Sequence, residues 1–542
     1  MKKEISGNIV DLINQKIFPG TIKIENRKIS EIVKKNQNLK NYIIPGFIDA
    51  HIHIESSMLT PSEFARAAVI HGTVAAIADP HEIANVLGLD GVNYMINNAS
   101  KVAFKFYFGA PSCVPASSFE TSGGIIKTSD VETLLKRNDI KFLAEMMNYP
   151  GIIYNDSEIM KKIALAKKYS KPIDGHAPGL TGAELKKYVS AGITTDHESS
   201  TFEEAHEKIK LGMKILIREG SAAKNLQELI PLLENHWQNC MLCSDDKHPD
   251  DLVKGHINLM VKKAIEKKID PMKVLIAASL NPVKHYKLDV GLIREGDFAD
   301  FLIIDDLEKL NIISTFINGV EVAKSGKTLI NKVKSKKINK FNIEKLKPND
   351  FALNSSAEKM NVIVAIDGQI FTEKIKQIPK VDNGYVVSDV DNDILKISVI
   401  NRYKKEKPSI AFIKNFGLKD GAIASSVAHD SHNIIAVGVT DEYICKAVNL
   451  IIENKGGISA VGKNFEIVLP LPIAGIMSDK SYDQVAKKYI EINNAARSLG
   501  AKLKSPFMSL SFMALPVIPK LKITDKGLFD SERFKFINLF ED

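Results

Sequence analysis

The chain has 542 residues, of which 44% are hydrophobic and 25% are charged. These fractions are those of ordinary folded proteins, and they exclude a largely disordered or collagen-like chain. The formal net charge of +8 comes from 73 basic and 65 acidic residues. Its one conspicuous basic run, 331–347, is interpreted as a solvated linker, so the charge gives no reason to predict a nucleic-acid partner.

The length predicts three or four domains at about 150 residues each. No stretch reaches the run of about 20 apolar residues that a membrane span needs, and the opening MKKEISGNIVDLINQKIFPG lacks the apolar block of a signal peptide. The cysteines are too sparse for a disulfide framework. We therefore expect a cytoplasmic protein with no membrane partner.

Residues 1–44 alternate apolar and polar side chains and predict short strands. Too few residues are present there to bury a core of their own. A second strand-rich stretch covers 288–330, after the central part of the chain. We expect the two flanks to pair and to form one small β-sandwich domain.

Residues 45–287 contain eight short apolar runs, each followed by polar or small residues and then by a stretch of helical period. This alternation predicts a (β/α)8 barrel of the α/β class. One connecting helix is well marked, because Pro61 follows the N-cap candidate Thr60 and Gly72 provides a stop. Beyond the linker, residues 348–542 mix strand-like runs with a long helical stretch and predict a separate α+β domain.

His51 and His53 end the first run of the barrel. Side chains two apart on a strand share a face, so both imidazoles can reach one metal ion. An isolated pair of this kind is more often two hydrogen-bonded histidines, but other ligand types end the later runs. Active sites of such barrels lie at the carboxyl ends of the strands, which predicts a metal site there. These further candidates are Glu145, His176, His197 and Asp245.

Several segments carry a resemblance to a known family. In the barrel they are PGFIDAHIHIESS, DPHEIANVLG, FLAEMMNYPG, DGHAPGL, DHES, IREGSA and CSDDKHP; beyond it they are AHDSHN, LPLPIAGIMSD and PFMSLSFMALPVIP. The barrel segments resemble the amidohydrolase superfamily, and the whole set resembles the adenine deaminase family within it. The resemblance covers nearly the whole chain.

The resemblance implies two metal ions in one active site. One ion is assigned to His51, His53 and Asp245, and the other to His176 and His197, with Glu145 as the bridge. Many members of the wider superfamily bridge with a carbamylated lysine instead. Oxygen and nitrogen donors without thiolate suit Mn, Fe or Zn; the resemblance implies Mn(II) and leaves Fe(II) and Zn(II) open.

The implied reaction is the attack of metal-bound hydroxide on C6 of adenine, which gives hypoxanthine and ammonia in purine salvage. Asp245 is expected to accept the proton of the nucleophile and to pass it to the departing amino group. Another acid must protonate or hydrogen-bond the ring nitrogen N1. Glu82 and Glu55 are the two candidates, and for each a surface or helix-capping role is the alternative.

Further pocket residues are weaker expectations. Asp246 either accepts a hydrogen bond from the purine or caps the next helix, and Arg218, Glu219 and Ser221 follow the seventh run. His81 is expected to make a hydrogen bond to a metal ligand or within its loop rather than to bind a metal itself.

The remaining histidine and cysteine motifs are expected to be structural. A structural role is favoured for His429 and His432 in AHDSHN. Cys240 and Cys243, three residues apart on a strand, are expected to be buried thiols.

Two other functions are alternatives to deamination. A hydantoinase or dihydropyrimidinase would use the same metals to open a cyclic amide, but Glu145 and the C-terminal domain argue against it. A catalytically silent scaffold should have lost ligands, and all six are present. The expected partners are therefore a small-molecule substrate, adenine, and further copies of the chain in a homo-oligomer, as a dimer.

Overall fold

A computed structural model describes residues 3–37, 39–221, 223–354 and 357–541. It contains two compact units. The first comprises Met1–Pro80, Asn93–Cys113 and Lys127–Val333, and the second comprises His81–Val92, Val114–Ile126 and Lys334–Asp542. The division differs from the predicted domains, because two short segments within the barrel sequence belong to the same unit as the C-terminal region.

The strands of the first unit are β1 (Lys3–Asp11), β2 (Lys16–Glu25), β3 (Lys28–Lys34), β4 (Tyr42–Pro45), β5 (Phe47–Ile52), β6 (Thr73–Ala78), β7 (Lys105–Ala110), β8 (Ile140–Met146), β9 (Ile173–Gly175), β10 (Thr195–Asp196), β11 (Lys214–Arg218), β12 (Cys240–Cys243), β13 (Phe301–Ile304), β14 (Ile312–Ile317), β15 (Val320–Lys324) and β16 (Lys327–Thr328). Those of the second unit are β17 (Lys359–Ala365), β18 (Thr372–Gln377), β19 (Lys380–Asp382), β20 (Tyr385–Val387), β21 (Ile394–Ile400), β22 (Ser409–Lys414), β23 (Ala422–Ser425), β24 (Ile434–Gly438), β25 (Gly457–Gly462), β26 (Phe465–Pro470), β27 (Leu521–Thr524), β28 (Gly527–Asp530), β29 (Lys535–Phe536) and β30 (Phe540–Glu541).

The helices, in chain order, are α1 (Pro61–Ala68), α2 (His81–Leu87), α3 (Leu89–Ala99), α4 (Thr128–Leu135), α5 (Tyr149–Ile153), α6 (Ser157–Lys168), α7 (Gly182–Ser190), α8 (Phe202–Lys210), α9 (Leu226–Leu229), α10 (Leu232–Asn235), α11 (Pro249–Leu252), α12 (Ile257–Glu266), α13 (Pro271–Leu275), α14 (Asn281–Tyr286), α15 (Asp441–Glu453), α16 (Tyr482–Ser498) and α17 (Pro506–Phe512). Within the described parts of the chain, no helix is both long and apolar enough to cross a membrane.

Strands from both flanks of the barrel form one eight-stranded sheet in the order β16-β15-β14-β13-β4-β1-β2-β3. Strand β4 joins the two groups, since it runs parallel to β1 and antiparallel to β13. Isoleucines of the N-terminal strands and phenylalanines of the later strands share one buried cluster, which includes Ile9, Ile22, Ile43, Phe301 and Phe316. Neither flank could bury these side chains without the other.

Strands β5 to β12 are the barrel, and they correspond to the eight apolar runs of the sequence. Strands β5 to β9 pair in parallel in order, as do β10 to β12. The Thr194 amide bonds the Ile173 carbonyl (2.9 Å) between β9 and β10, and the Asp245 amide bonds the His51 carbonyl (2.9 Å) where β12 meets β5. The predicted (β/α)8 fold is confirmed.

Helix α1 begins at Pro61, as its sequence predicts, and Gly72 with φ +76° ends the turn that follows it. The side chain of Thr60 makes no capping bond to the helix; it lies 3.2 Å from the Ser62 hydroxyl instead. The start of the helix therefore depends on the fixed φ of proline rather than on the cap.

The second unit is built on a sheet in the order β18-β17-β22-β21-β24-β23-β25-β26, with β30 beside β17. Helix α15 packs its apolar face, including Ile444, Val448 and Ile451, against Ala424 and Ile434 of this sheet. The predicted α+β character of the C-terminal region follows from this pairing of one sheet with long helices.

The basic run 331–347 differs from the expected solvated linker. Residues 334–347 belong to the second unit and have no helix or strand. Phe341, Ile343 and Leu346 nevertheless pack against the core of that unit, and the Leu346 amide donates to the Asn449 side chain at 2.9 Å. Apolar side chains spaced between the lysines anchor the segment.

Candidate metal centre

His51 and His53 are held at the carboxyl end of β5, where every residue of the strand is buried. The alternation of the strand turns both imidazoles to one side, as the spacing predicts. Their ring centroids are 4.8 Å apart in an edge-to-face arrangement. The His53 Nδ1 lies 3.2 Å from the Asp79 carbonyl oxygen, which leaves Nε2 directed toward the carboxylates of the site.

Asp245 lies just beyond β12 with φ +53°, a left-handed conformation that few residues other than glycine adopt. Backbone hydrogen bonds to β5 hold it there: its carbonyl accepts from the His53 amide at 3.3 Å. The carboxylate Oδ1 lies 3.2 Å from His53 Nε2 and 3.5 Å from His51 Nε2. These three donors form one group that could hold a metal ion.

Glu145, near the end of β8, directs its two oxygens to different histidines. Oε1 lies 3.3 Å from His53 Nε2. Oε2 lies 2.8 Å from His176 Nδ1 and 3.2 Å from His197 Nε2. A carboxylate with one oxygen toward each histidine set has the arrangement needed to bridge two ions.

His51 gives a test of whether these residues suit a metal. Its side chain is fully buried, it stacks on His197 at 4.2 Å, and neither ring nitrogen has a hydrogen-bond partner among the described residues. An unsatisfied buried polar group costs stability, and coordination would satisfy it. Metal–ligand bonds of about 2.1 Å place neighbouring donors about 3 Å apart, close to the separations observed, so the donor set fits a divalent ion.

Without an ion, the imidazoles and carboxylates neutralise one another. Burial opposes the charge of His197, but hydrogen bonds to Glu145 and Glu198 prevail and raise its pKa to about 10. Burial likewise opposes the charge of Glu145, but the His176 charge and the adjacent imidazoles hold the pKa of that carboxyl well below its usual range. Metal binding must therefore displace protons from these histidines.

Glu198 is a member of the site that the sequence reasoning missed. It follows His197 directly, and its Oε1 lies 3.4 Å from His197 Nε2 and 3.7 Å from His176 Nδ1. Both terminal nitrogens of the Arg218 guanidinium donate to Glu198: Nη1 donates to Oε1, and Nη2 donates to Oε2 at 3.1 Å. The only available signal was the carboxylate next to a ligand histidine, in DHES.

Arg218 is the last residue of β11, and among the predicted pocket residues Arg218, Glu219 and Ser221 it reaches the candidate metal centre. Its Nη1 donates to Asp245 Oδ2 at 2.6 Å as well as to Glu198. Burial opposes the charge of the guanidinium, but the two carboxylates outweigh it and raise the pKa of Arg218.

Lys208 of α8 supports the loops that carry His176 and His197. Its buried ammonium donates at 2.8 Å to the Ala177 carbonyl, to Asp196 Oδ2 and to Glu204 Oε1. Ala177 follows His176, and Asp196 precedes His197. One cation thereby ties both loops to the same helix.

Asp49 supports the opposite side of the site from within β5. Its carboxylate accepts from the Ser244 amide at 3.0 Å, beside Asp245, and from the Ser244 hydroxyl. His256 Nε2 lies 2.8 Å from the same carboxylate, and its Nδ1 lies 2.7 Å from the Thr73 hydroxyl. The network fixes the end of β12 against β5.

The other predicted pocket residues of the first unit have partners in neighbouring helices and turns. Glu219 pairs with Lys263 at 2.6 Å, and the Ser221 hydroxyl donates to Asp251 at 2.8 Å. Asp246 accepts from the Ser56 hydroxyl at 2.5 Å. The geometry therefore brings Arg218 to the metal ligands and engages Glu219 and Ser221 elsewhere.

Glu55 is buried in a short 3-10 turn, Ile54–Ser57, directly after His53. Cys240 and Cys243, in β12, are buried free thiols. Burial raises the pKa of Cys240 to about 12. They have the buried-thiol character that their strand spacing indicates.

Glu82 and His81 belong to the second unit, at the start of α2. Glu82 lies between His429 and His432 of the same unit. Burial opposes the charge of Glu82, but the two imidazoles hold the pKa of its carboxyl well below its usual range. An ionised Glu82 accepts hydrogen bonds rather than donating them. His81 Nε2 lies 3.4 Å from its Oε1.

The barrel and its imidazole–carboxylate cluster define a metal-dependent hydrolase of the amidohydrolase class. Residues 42–322 match the model of the amidohydrolase family, and residues 369–535 match the adenine deaminase C-terminal domain. An adenine deaminase from Salinibacter ruber is 50% identical over 99% of each chain. One from Methanosarcina barkeri is 51% identical over 98% of each chain. The chain belongs to the adenine deaminase family.

Among solved structures, a D-hydantoinase aligns with 61% of this chain and 96% of its own, at 13% identity and a TM-score of 0.46. So distant a likeness gives no support to the opening of cyclic amides. The full-length relatives favour deamination over that alternative and over a silent scaffold.

Proposed function

We propose that the protein hydrolyses adenine to hypoxanthine and ammonia. The observation that carries the proposal is the convergence, at one end of the barrel, of all six residues expected from the resemblance, in a chain whose relatives are adenine deaminases over their full length. Buried nitrogen and oxygen donors with no thiolate are the chemistry that a hydrolytic metal centre needs.

Two divalent ions are part of the proposal, as Mn(II), with Fe(II) and Zn(II) as alternatives. His51, His53 and Asp245 would hold one, His176 and His197 would hold the other, and Glu145 would bridge them. When bound, the ions supply a water molecule that ionises near neutral pH. The separate directions of the two Glu145 oxygens support the bridging role.

The chain's own residues would handle the protons. Asp245 would accept the proton of the attacking water and return it to the departing amino nitrogen. Arg218 would fix the carboxylate for this transfer by binding Oδ2. Glu55 and Glu82 remain the two candidates for the group that would protonate or hydrogen-bond the ring nitrogen N1.

Pocket contacts to the purine are also proposed for Asp246, Arg218, Glu219 and Ser221. The contact of Arg218 with Asp245 gives it the strongest support. Glu219 and Ser221 would have to leave Lys263 and Asp251 to take part.

Purine salvage in the cytoplasm is the proposed setting, and a homodimer is the proposed assembly. The four cysteines are all free thiols, which agrees with a reducing compartment. Light scattering of the purified protein would test the dimer.

The decisive assay incubates Mn(II)-loaded protein with adenine, adenosine and a dihydropyrimidine. Ammonia release and ring opening are followed separately. Ammonia from adenine without ring opening of the dihydropyrimidine is expected. No ammonia from adenine in metal-replete protein would overturn the proposal, and ring opening would favour the cyclic-amide alternative.

The variant Asp245→Asn tests the proton transfer. An amide cannot accept the proton, so turnover should fall steeply even in molecules that retain both ions. Metal content is measured by elemental analysis of the same sample. Near-normal turnover with full metal occupancy would exclude Asp245 as the proton acceptor.

A further inference from the structure

Glu82 of α2 is clamped by two histidines from the loop between β23 and β24. Its Oε1 lies 2.6 Å from His429 Nδ1, and its Oε2 lies 2.5 Å from His432 Nε2. The exposed fractions of the three residues are 2%, 3% and 1% in that order. Each carboxylate oxygen thus has its own imidazole in a dry environment, where such hydrogen bonds are strong.

The tautomer of His432 follows from its second nitrogen. Nδ1 accepts a hydrogen bond from the Ala428 amide at 3.3 Å, so the ring proton of a neutral His432 is on Nε2 and points at Glu82. Burial lowers the pKa of His432 to about 4, which keeps the ring neutral. His432 is therefore a hydrogen-bond donor to Glu82 and not a proton acceptor.

The loop that carries the two histidines is rigidly held. The flanking strands β23 and β24 pair antiparallel, and the Asn433 side chain donates to the Thr121 carbonyl at 2.9 Å. The His429 ring stacks on Phe512, with centroids 4.7 Å apart and planes inclined by 19°. The His429 ring cannot turn away from Glu82 without losing its stack on Phe512, and the His432 ring cannot do so without losing the hydrogen bond from the Ala428 amide.

We propose that His429 and His432 are positioning residues that fix the Glu82 carboxylate for the reaction. The inference rests on the proposed function, in which Glu82 is one of the two candidates for ring nitrogen N1. It assigns AHDSHN a role beyond folding. Substrate contact is assigned to Glu82 and not to the histidines.

A double-mutant cycle in the metal-loaded full-length enzyme tests the proposal. His432→Leu removes the donor and is expected to lower kcat for adenine by about 10- to 100-fold, the effect of losing a hydrogen bond to a charged group. The KM should change less than kcat. In a Glu82→Gln background the same substitution should cause no further loss, because both act through one carboxylate.

Two further variants separate positioning from folding. His429→Phe keeps the ring that stacks on Phe512 but removes the donor, so it should reproduce the loss if His432→Leu does not fold. His432→Gln keeps an N–H donor and should recover part of the activity. Ser459→Ala is the matched control, because its buried hydroxyl donates to the Ala447 carbonyl at 2.7 Å in the same unit, away from Glu82; its turnover should be unchanged.

Equal losses from His432→Leu in the wild-type and Glu82→Gln backgrounds would overturn the proposal, as would normal turnover of Glu82→Gln. Metal content is measured in every variant, and a loss of ions that accounts for the fall in kcat would also count against positioning. A wild-type enzyme that releases no ammonia from adenine would instead overturn the proposed function itself.

Discussion

Arg218 binds the outer oxygen of Asp245 while the inner oxygen of that carboxylate faces the histidines. Nη1 of Arg218 lies 2.6 Å from Oδ2, and Oδ1 lies 3.2 Å from His53 Nε2. The two oxygens thus have separate partners. The orientation of a proposed metal ligand is set by a residue that binds no metal.

Arg218→Met should therefore damage both stability and turnover. It leaves Asp245 and Glu198 as neighbouring buried anions, and breaking a buried ion pair costs about 3 to 5 kcal/mol. A carboxylate misplaced by about 1 Å can lower kcat/KM by about 100-fold. Calorimetry and steady-state kinetics measure the two effects. The control is Arg294→Met. The ion pair that it removes, between Arg294 and Asp297, is exposed, so the free energy of unfolding should fall by less than about 1 kcal/mol.

Lys208→Met should destabilise the first unit and weaken metal retention. The substitution leaves the carboxylates of Asp196 and Glu204 buried without their cation, at a cost of about 3 to 5 kcal/mol. Calorimetry follows the unfolding transition, and elemental analysis gives the metal content per chain. Lys161→Met, which breaks an exposed pair with Glu158, should leave both unchanged. Full stability of the Lys208 variant would show that the network is not needed.

Removal of the metal ions should lower the melting temperature of the first unit. The buried ring nitrogens of His51 have no hydrogen-bond partner among the described residues, and coordination to an ion would supply one. A ligand whose free concentration is about 1,000 times its Kd stabilises the folded state by about 4 kcal/mol. Calorimetry of chelated and Mn(II)-restored protein measures the shift. An unchanged melting temperature would mean that the site does not bind the added ion.

The stability of the second unit should depend on pH through Lys522. This buried lysine donates to the carbonyls of Ile370 and Phe512 at 2.7 and 3.0 Å, and burial lowers its pKa from 10.5 to about 7. Between these two values the unfolded chain holds a proton that the folded chain lacks, so stability should rise with pH across that window. Below about pH 7 the lysine is charged in both the folded and the unfolded chain, so the cost of burying its ammonium group lowers the stability by its full amount.

Lys522→Met should flatten this pH dependence, as measured by melting temperature from pH 7 to 10. The exposed neighbour Lys520, paired with Glu373 at 2.9 Å, provides the control: Lys520→Met should retain the slope. A slope that persists in the Lys522 variant would assign it to another group.

The barrel could be predicted because its signals are local. Eight apolar runs of strand length alternate with helical periods, and the spacing of His51 and His53 fixes their shared face in any strand. Pairing between the strands on the two sides of the barrel could also be predicted, because neither flank is long enough to bury a core alone.

The remaining features depend on contacts between residues far apart in the sequence. Glu198 belongs to the site because Arg218 lies twenty residues later in the chain and turns toward it. Glu82 lies within the barrel sequence but contacts histidines near residue 430, and no local pattern indicates which compact unit a short helix joins. In the basic run 331–347 the lysines are exposed, and the packing of Phe341, Ile343 and Leu346 against the core of the second unit is not indicated by the charge pattern.

Asp245 forms backbone hydrogen bonds to β5 at the point where the last barrel strand meets the first. The residue supplies both the backbone bonds that join the last barrel strand to the first and one of the proposed ligands. A chain that ends before residue 245 therefore lacks both these closing bonds and a complete set of proposed ligands. Closure of the barrel at this point and completion of the proposed ligand set thus depend on one residue.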